Sequence, residues 1–176
     1  MIEGMERYVP EVARLRERIL VLRDRVVEKN DPEATRLRRA VEIPAGSCGA
    51  STGQPERLFT VNRTVRPQIP IGAGERQFWR IVSASPDLYT DVQIDGEPLE
   101  IVALDGMPLV YHDRKHPTRI ASHVLLPPAG RLEAIVTGPR AGARSSMRTR
   151  CFDTGPDEIQ TPRWCWPTLS MLKRRR

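Results

Sequence analysis

From Leu58 onward the chain alternates short apolar runs with turn residues, and this pattern restricts the fold more than any other feature. The runs are of strand length, are bounded by Gly, Pro, Asp and Asn, and cover residues 58–62, 76–85, 90–96, 98–106, 122–128 and 131–138. Such runs at this spacing are typical of a β-sandwich or barrel. The 16 prolines also favour many short elements over a few long helices. The sequence therefore predicts an all-β fold.

The size and composition of the chain limit it to one domain with short additions. Its 176 residues are 39% hydrophobic and 28% charged, close to the composition of ordinary globular domains. No apolar run approaches the ~18–20 residues that a membrane-spanning helix needs, and the first residues do not resemble a signal peptide. We therefore expect a single hydrophobic core, no membrane partner, and no room for two full enzymatic domains.

Alternation within the runs predicts which residues face the core. In the run around Trp79, this residue and Ile81 share one face while Arg80 points away, and the apolar residues on the second face indicate that both faces are covered. The pairs Asp95-Gly96 and Asp105-Gly106 lie between apolar segments and predict two hairpin turns.

The first third of the chain mixes several signals. Apolar residues recur at helical spacing before residue 23, but we favour a strand over residues 18–23 because no Gly or Pro stops a helix there. Asp31 followed by Pro32 is a typical helix start, which predicts a short exposed helix over residues 32–40. Residues 44–55 are rich in Gly, Ser and Pro and predict an irregular connection.

The positive charge is concentrated at one end. Of the formal net charge of +6, four charges belong to residues 173–176, so the body of the chain is nearly balanced. Together with Trp164 and Trp166, this tail offers one alternative function, a nucleic-acid contact by base stacking and phosphate attraction. A terminal charge run is more often simply solvated, so we expect no nucleic-acid partner.

Several ordered motifs together resemble a known family. The motifs are Leu58-Phe-Thr-Val-Asn62, Ile69-Pro-Ile-Gly72, Trp79-Arg-Ile-Val-Ser-Ala-Ser85, Ile94-Asp-Gly96, Ile101-Val-Ala-Leu-Asp-Gly106 and Leu125-Leu-Pro-Pro-Ala-Gly-Arg131. As a series they are similar to the middle cupredoxin-like domain of a three-domain multicopper oxidase, the group that includes laccases and bilirubin oxidases. The resemblance implies that residues 15–155 form a cupredoxin-like Greek-key β-sandwich, with a short inserted helix. It also implies that residues 1–14 are a remnant of the preceding domain and its linker, and that residues 156–176 are a non-homologous, disordered tail.

The resemblance implies a fragment without activity of its own. Intact relatives couple the oxidation of donors to the reduction of dioxygen to water, with copper held by His-x-His and His-Cys-His motifs of their first and last domains. This sequence has neither motif and only three histidines. We therefore expect no catalytic residue, no cofactor and no copper ligand in this chain, and a spacer role between flanking cupredoxin domains, with self-association when these are absent. The alternative is a copper-free structural or interaction module; relatives are often exported.

The remaining candidate residues have simpler explanations. His112 and His116 have a spacing that chelates metal on a helix, but prolines on both sides predict a solvated loop, and His123 starts an apolar strand. Gly72-Ala73-Gly74 lacks the rest of a phosphate-binding motif and predicts a turn. The resemblance leaves open a disulfide between Cys48 and Cys151, which an exported parent would permit.

The unusual composition of the tail suggests a second hypothesis. Permitted codons for residues 158–169 can be read in another frame as an acidic segment similar to the linker and strand that the family places there. We therefore hypothesise a frameshift near Asp157; coding DNA whose codons exclude that frame would disprove it.

Overall fold

Two β-sheets pack face to face in the computed structural model. The structure describes residues 4–26, 32, 57–111, 113 and 115–150, together with the backbone of residues 164–170. The described strands are β1 Arg16–Val26, β2 Arg57–Val61, β3 Ile69–Pro70, β4 Arg76–Ser83, β5 Thr90–Ile94, β6 Leu99–Leu104, β7 Met107–Pro108, β8 Arg119–Ala121, β9 His123–Leu126, β10 Arg131–Thr137, β11 Ser145–Arg150 and β12 Trp164–Ser170. Short 3-10 helices occupy Met5–Arg7, Pro10–Arg14 and Leu109–Tyr111. The predicted all-β sandwich is confirmed.

The order of the strands differs from their order in the sequence. Sheet 1 runs β2-β1-β4-β10-β6-β7, with β8 also paired to β6, and sheet 2 runs β3-β12-β11-β5-β9. Most neighbours are antiparallel, but β1 is parallel to β4 over Arg16–Leu22. The parallel pair needs a crossover connection and cannot form from a hairpin. In this strand order, β4 lies in the middle of sheet 1.

The main core lies between the two sheets and contains inward-facing side chains of β1, β2, β4, β5, β6, β9, β10 and β11. Trp79 and Ile81 of β4 are fully buried there, opposite Val92 and Ile94 of β5 and Met147 of β11. The expectation that Trp79 and Ile81 share the core face is therefore confirmed. Burial of this many aliphatic side chains supplies the main driving force for folding.

A second apolar cluster covers the outer face of sheet 1. Phe78 of β4, Val102 of β6 and Ile135 of β10 point away from the main core and pack against Met5 and against two further residues of the N-terminal segment, Val9 and Val12. The two N-terminal 3-10 helices therefore act as a cover for this face. Both faces of β4 are buried, as its sequence predicts.

Polar contacts fasten the N-terminal cover to the sheet. Arg76 of β4 pairs with Glu11 of the cover and with Glu100 of β6, and Thr118 also donates a hydrogen bond to Glu100. On the same face the Arg80 guanidinium lies 5.1 Å from the centre of the Phe78 ring and pairs with Glu17 at 2.9 Å. The cover thus joins the sheet through the ion pair between Glu11 and Arg76 and through the apolar contacts of Met5, Val9 and Val12.

Two of the predicted turns have different roles. Asp105-Gly106 connects β6 to β7, which pair with each other, so the predicted hairpin is confirmed. Asp95-Gly96 also forms a turn, but β5 belongs to sheet 2 and β6 to sheet 1. The tight reversal predicted there is present, closed by an antiparallel bridge between Ile94 and Glu97, but it does not extend into a paired hairpin, because burial decides which strands pair.

The predictions for the first third of the chain and for its tail have different outcomes. The strand favoured over residues 18–23 is confirmed as part of β1. Pro32 is helical, whereas the rest of the predicted helix over residues 32–40 and the connection over residues 44–55 lie outside the described residues.

The prediction of a disordered tail over residues 156–176 does not fit residues 164–170, which form β12 between β3 and β11. Backbone pairing with these two neighbours stabilises a segment whose own sequence carries no strand period. No helix among the described residues is long and apolar enough to cross a membrane.

Removing the Met5 side chain should weaken the N-terminal cover. Met5 is 1% exposed, and truncation of a buried Met to Ala costs about 2–3 kcal/mol. We expect Met5→Ala to lower the free energy of unfolding by this amount in urea titrations. Glu6→Ala, at the neighbouring exposed position, should change it by less than about 0.5 kcal/mol. Equal stability of Met5→Ala and the parent would show that the cover does not belong to the folded core.

Glu133 makes the stability of sheet 1 dependent on pH. This β10 side chain is 3% exposed and its Oε2 atom has no hydrogen-bond partner among the described residues. Burial raises the pKa of Glu133, although Arg80 and Arg131 lie near enough to oppose this shift. The ionised carboxylate therefore penalises the fold in full above its raised pKa, and the penalty shrinks as the pH falls through that value and is gone below the ordinary pKa of a glutamate.

Glu133→Gln should accordingly be more stable than the parent at pH 7, because a neutral amide avoids the cost of a buried charge. The difference in the free energy of unfolding should shrink as the pH is lowered through the raised pKa of Glu133. Glu6→Gln, an exposed control, should behave like the parent across the same range. A Glu133→Gln variant less stable than the parent at neutral pH would contradict this assignment.

Candidate functional site

The loop around His116 is held by one carboxylate. Asp113 Oδ1 accepts hydrogen bonds from the backbone N–H groups of Lys115 and His116 at 2.9 and 3.3 Å, and Asp113 Oδ2 lies 2.8 Å from His116 Nδ1. These contacts lower the pKa of Asp113, chiefly through the hydrogen bond with His116. Residues 115–118 are not helical, as predicted, while His112 lies outside the described residues. The helical geometry that would let a pair of histidines chelate a metal is therefore not present at His116.

His123 is the first residue of β9 in sheet 2. Its Nδ1 atom is 2.7 Å from Asp91 Oδ1, and Asp91 is buried in the neighbouring strand β5. Arg150 of β11 lies on the other side of this carboxylate, with Nε 3.8 Å from Asp91 Oδ2. A histidine, a carboxylate and a guanidinium thus bridge three strands. The carboxylate orients the histidine, but these residues are not part of any group of three or more His, Cys, Asp or Glu side chains able to hold a metal among the described residues.

The glycine turn between β3 and β4 contains a carboxylate. Gly72 donates its backbone N–H to Glu75 Oε2 at 2.6 Å, and the chain continues into strand β4 and not into a helix. The hydrogen bond from the Gln77 side chain, followed by the one from Gly72, lowers the pKa of Glu75. The Glu75 carboxylate therefore takes up the backbone N–H of Gly72 within the turn. The predicted turn is confirmed.

Next to this turn, Gln77 is the centre of a buried polar network. Its Oε1 atom accepts hydrogen bonds from Trp79 Nε1 at 3.1 Å and from Arg18 Nε at 3.0 Å. Its Nε2 group donates to Glu75 Oε1 at 2.8 Å and to the Pro70 carbonyl at 3.1 Å. Burial is the main cause that lowers the pKa of Arg18. Because each of these groups has a partner in the network, we interpret this corner as structural.

Gly138, which directly follows β10, packs against this corner. The backbone of Gly138 accepts a hydrogen bond from Gly74 N–H and donates one to the Glu75 carbonyl. A Cβ atom at Gly138 would lie 2.0 Å from the Gly72 carbonyl oxygen. Only glycine fits this approach, so the turn and the end of β10 fix each other.

A cleft of about 280 Å³ lies between β1 and the loop that follows β2. Arg18 and Ile19 line one wall, and Asn62 and Gln68 contribute to the other. Asn62 has a positive φ of 49° and uses its side chain as a substitute peptide: Oδ1 accepts from Val21 N–H at 2.8 Å, and Nδ2 donates to the Ile19 carbonyl at 2.9 Å. Among the described residues that line the cleft, Glu17 is the one carboxylate and there is no histidine or cysteine, and the Asn62 side chain extends the pairing of β1.

The donors among the described residues, which include no cysteine side chain, do not fit a copper site of the blue type. Such a site needs two imidazoles and a thiolate on neighbouring positions. His116 and His123 lie in separate parts of the fold, and each ring Nδ1 faces an aspartate. No group of three or more His, Cys, Asp or Glu side chains able to hold a metal occurs among the described residues. Cys48 and Cys151, and hence the proposed disulfide, lie outside them, as do the side chains of Trp164 and Trp166.

The comparisons with known proteins identify the fold. No protein-family model and no curated protein sequence matches the chain. Among solved structures, it is similar to the Campylobacter jejuni multicopper oxidase described as a metallo-oxidase, with 17% identity, a TM-score of 0.60, and coverage of 91% of this chain and 31% of that one. It is also similar to the laccase-like multicopper oxidase CueO of Ochrobactrum sp., with 20% identity, a TM-score of 0.57, and coverage of 92% and 32%.

A third structure agrees with these two. Fet3p, a multicopper oxidase that functions in iron import, is 16% identical with a TM-score of 0.56, and the match covers 92% of this chain and 28% of that one. The chain therefore spans about a third of the length of these structures while nearly all of it takes part in the match. It has the fold of a single cupredoxin-like domain of the multicopper oxidase type.

Proposed function

We propose that the chain is a copper-free cupredoxin-like domain of a multicopper-oxidase-type protein, corresponding to the middle domain, and that it orients neighbouring domains without turning over dioxygen itself. The observation that carries this proposal is the coverage: the match takes in 91–92% of this chain but only 28–32% of each of three relatives. A chain that is matched over nearly its whole length, but that matches under a third of each relative, is suited to a role as one domain within a larger assembly of similar domains.

The chemistry of the donors supports the copper-free part of the proposal. The whole sequence contains three histidines and no His-x-His pair, too few for a site with several copper ions. Of the two described rings, His123 is oriented by Asp91 and His116 by Asp113. These contacts give both histidines a local structural role.

An exposed edge of sheet 1 supports the role between domains. Strands β7 and β8 both pair with the free side of β6, and they carry Met107 at 54% and Ile120 at 64% exposure. Leu104 and Tyr111 of the same region are also exposed. Large apolar side chains collected at one edge are typical of an interaction surface. We assign this edge, defined by Leu104, Met107 and Ile120, to contact with a neighbouring domain.

A copper-free structural or interaction module outside any oxidase is the second candidate function. The same apolar edge favours it, since such a module would also need a docking surface. The two candidates share the absence of copper and differ in the partner, a cupredoxin domain in the first case.

Copper analysis tests the copper-free assignment. After incubation with Cu²⁺ and removal of loosely bound metal, we expect the purified chain to retain far less than stoichiometric copper, to show no blue absorption, and to consume no oxygen with a reducing dye. His123→Ala and His116→Ala should leave these readings unchanged. Stoichiometric copper that both variants lose, accompanied by a blue absorption, would refute the assignment.

The apolar edge should make the isolated chain self-associate. We expect Met107→Lys with Ile120→Lys to weaken association about tenfold or more in analytical ultracentrifugation, since each apolar side chain withdrawn from an interface forfeits about 1.5 kcal/mol or more. Val26→Lys is the matched control, because Val26 is 53% exposed at the opposite side of the sheet. Association that is unaffected by the double variant, or a parent that is monomeric at all concentrations, would argue against this use of the edge.

A further inference from the structure

Two tyrosine side chains meet at the surface where the N-terminal cover reaches the sandwich. The hydroxyl oxygens of Tyr8 and Tyr111 are 2.6 Å apart, and their ring centres are 5.2 Å apart with an interplanar angle of 53°. Tyr8 is 37% exposed and Tyr111 is 59% exposed. The hydrogen bond with Tyr8 is the main cause that raises the pKa of Tyr111. The two phenols are therefore in contact and are both open to solvent.

The contact joins parts of the chain that are remote in sequence. Tyr8 follows the first 3-10 helix of the cover, and Tyr111 ends the 3-10 helix after β7, 103 residues later. Near Tyr8, the buried side chains of Met5, Val9 and Val12 hold the cover against sheet 1. A covalent bond between the phenols would therefore close a long loop and fix the cover in place.

We propose that Tyr8 and Tyr111 form an oxidative cross-linking site, at which a one-electron oxidant converts the pair to dityrosine. Each carbon next to the phenolic carbon lies two bonds from the hydroxyl oxygen, so the hydrogen-bonded oxygens place one such carbon of each ring close to the other ring. The two rings are already in contact, so a carbon–carbon bond can form between them without a rearrangement of the fold.

The reaction balances with two equivalents of the oxidant. Each phenol gives up one electron to the oxidant and its hydroxyl proton to water, which produces two phenoxyl radicals. The radicals couple through one ring carbon each, next to the hydroxyl-bearing carbon. The hydrogen on each coupled carbon then moves as a proton to the oxygen, which restores both aromatic rings and both hydroxyl groups. The net loss is two electrons and two protons.

Photo-oxidation of the full chain with a ruthenium complex and persulfate provides the test. At low protein concentration we expect dityrosine fluorescence in a species of monomer mass that has lost two hydrogen atoms. After trypsin digestion, peptide 8–14 should be joined to peptide 81–114. Because peptide 81–114 also contains Tyr89, the matched control is Tyr89→Phe, which should retain the cross-link, whereas Tyr8→Phe and Tyr111→Phe should lose it.

A stability measurement provides the second readout. Closing a loop of this length restricts the unfolded chain, so the cross-linked protein should unfold at a temperature about 10 °C above the untreated protein. Oxidised Tyr111→Phe should show no such increase. The proposal is overturned if the oxidised parent contains only intermolecular dityrosine, if the cross-link is lost in Tyr89→Phe, or if Tyr8→Phe still forms it.

Discussion

Burial of β4 on both faces is the constraint on which the rest of the fold depends. Its inward residues Trp79 and Ile81 meet sheet 2, while Phe78 on the outward face needs a cover of its own. A strand that is apolar on both sides can be stable only in the middle of a sheet with material on each face. The parallel partner β1, the antiparallel partner β10 and the N-terminal 3-10 helices together meet this requirement. The cover is therefore part of the folded unit.

The sequence predicts those elements whose signal is local. Alternation around Trp79 predicts its inward face, and Asp105-Gly106 predicts the hairpin between β6 and β7. Asp95-Gly96 carries the same signal but joins two sheets, because partners elsewhere in the chain decide the pairing. Met5, Val9 and Val12 of the N-terminal cover recur at helical spacing, but the helices there are only three and five residues long, and the spacing does not predict which surface they cover. β12 likewise owes its order to pairing with β3 and β11.

For the candidate sites, too, the sequence predicts local features but not long-range contacts. That the chain is poor in copper ligands follows from a count of its histidines, and a count needs no structure. The partners of these histidines could not be predicted: Asp91 precedes His123 by 32 residues, and only the pairing of β5 with β9 brings them together. The contact between Tyr8 and Tyr111 spans 103 residues and depends on the position of the cover. Long-range contacts between polar side chains carry no sequence signal of their own.

The polar groups of this domain are used in the same way as its apolar ones, to fix the fold. Gln77 satisfies Trp79 and Arg18, and Glu75 satisfies Gly72, so the corner that most resembles a binding site has its donors and acceptors already paired. Buried polar networks of this kind are costly when any member is left without a partner. Under the proposed function, this pairing holds the shape of the domain, while the apolar edge at Met107 and Ile120 is the surface that contacts its neighbours.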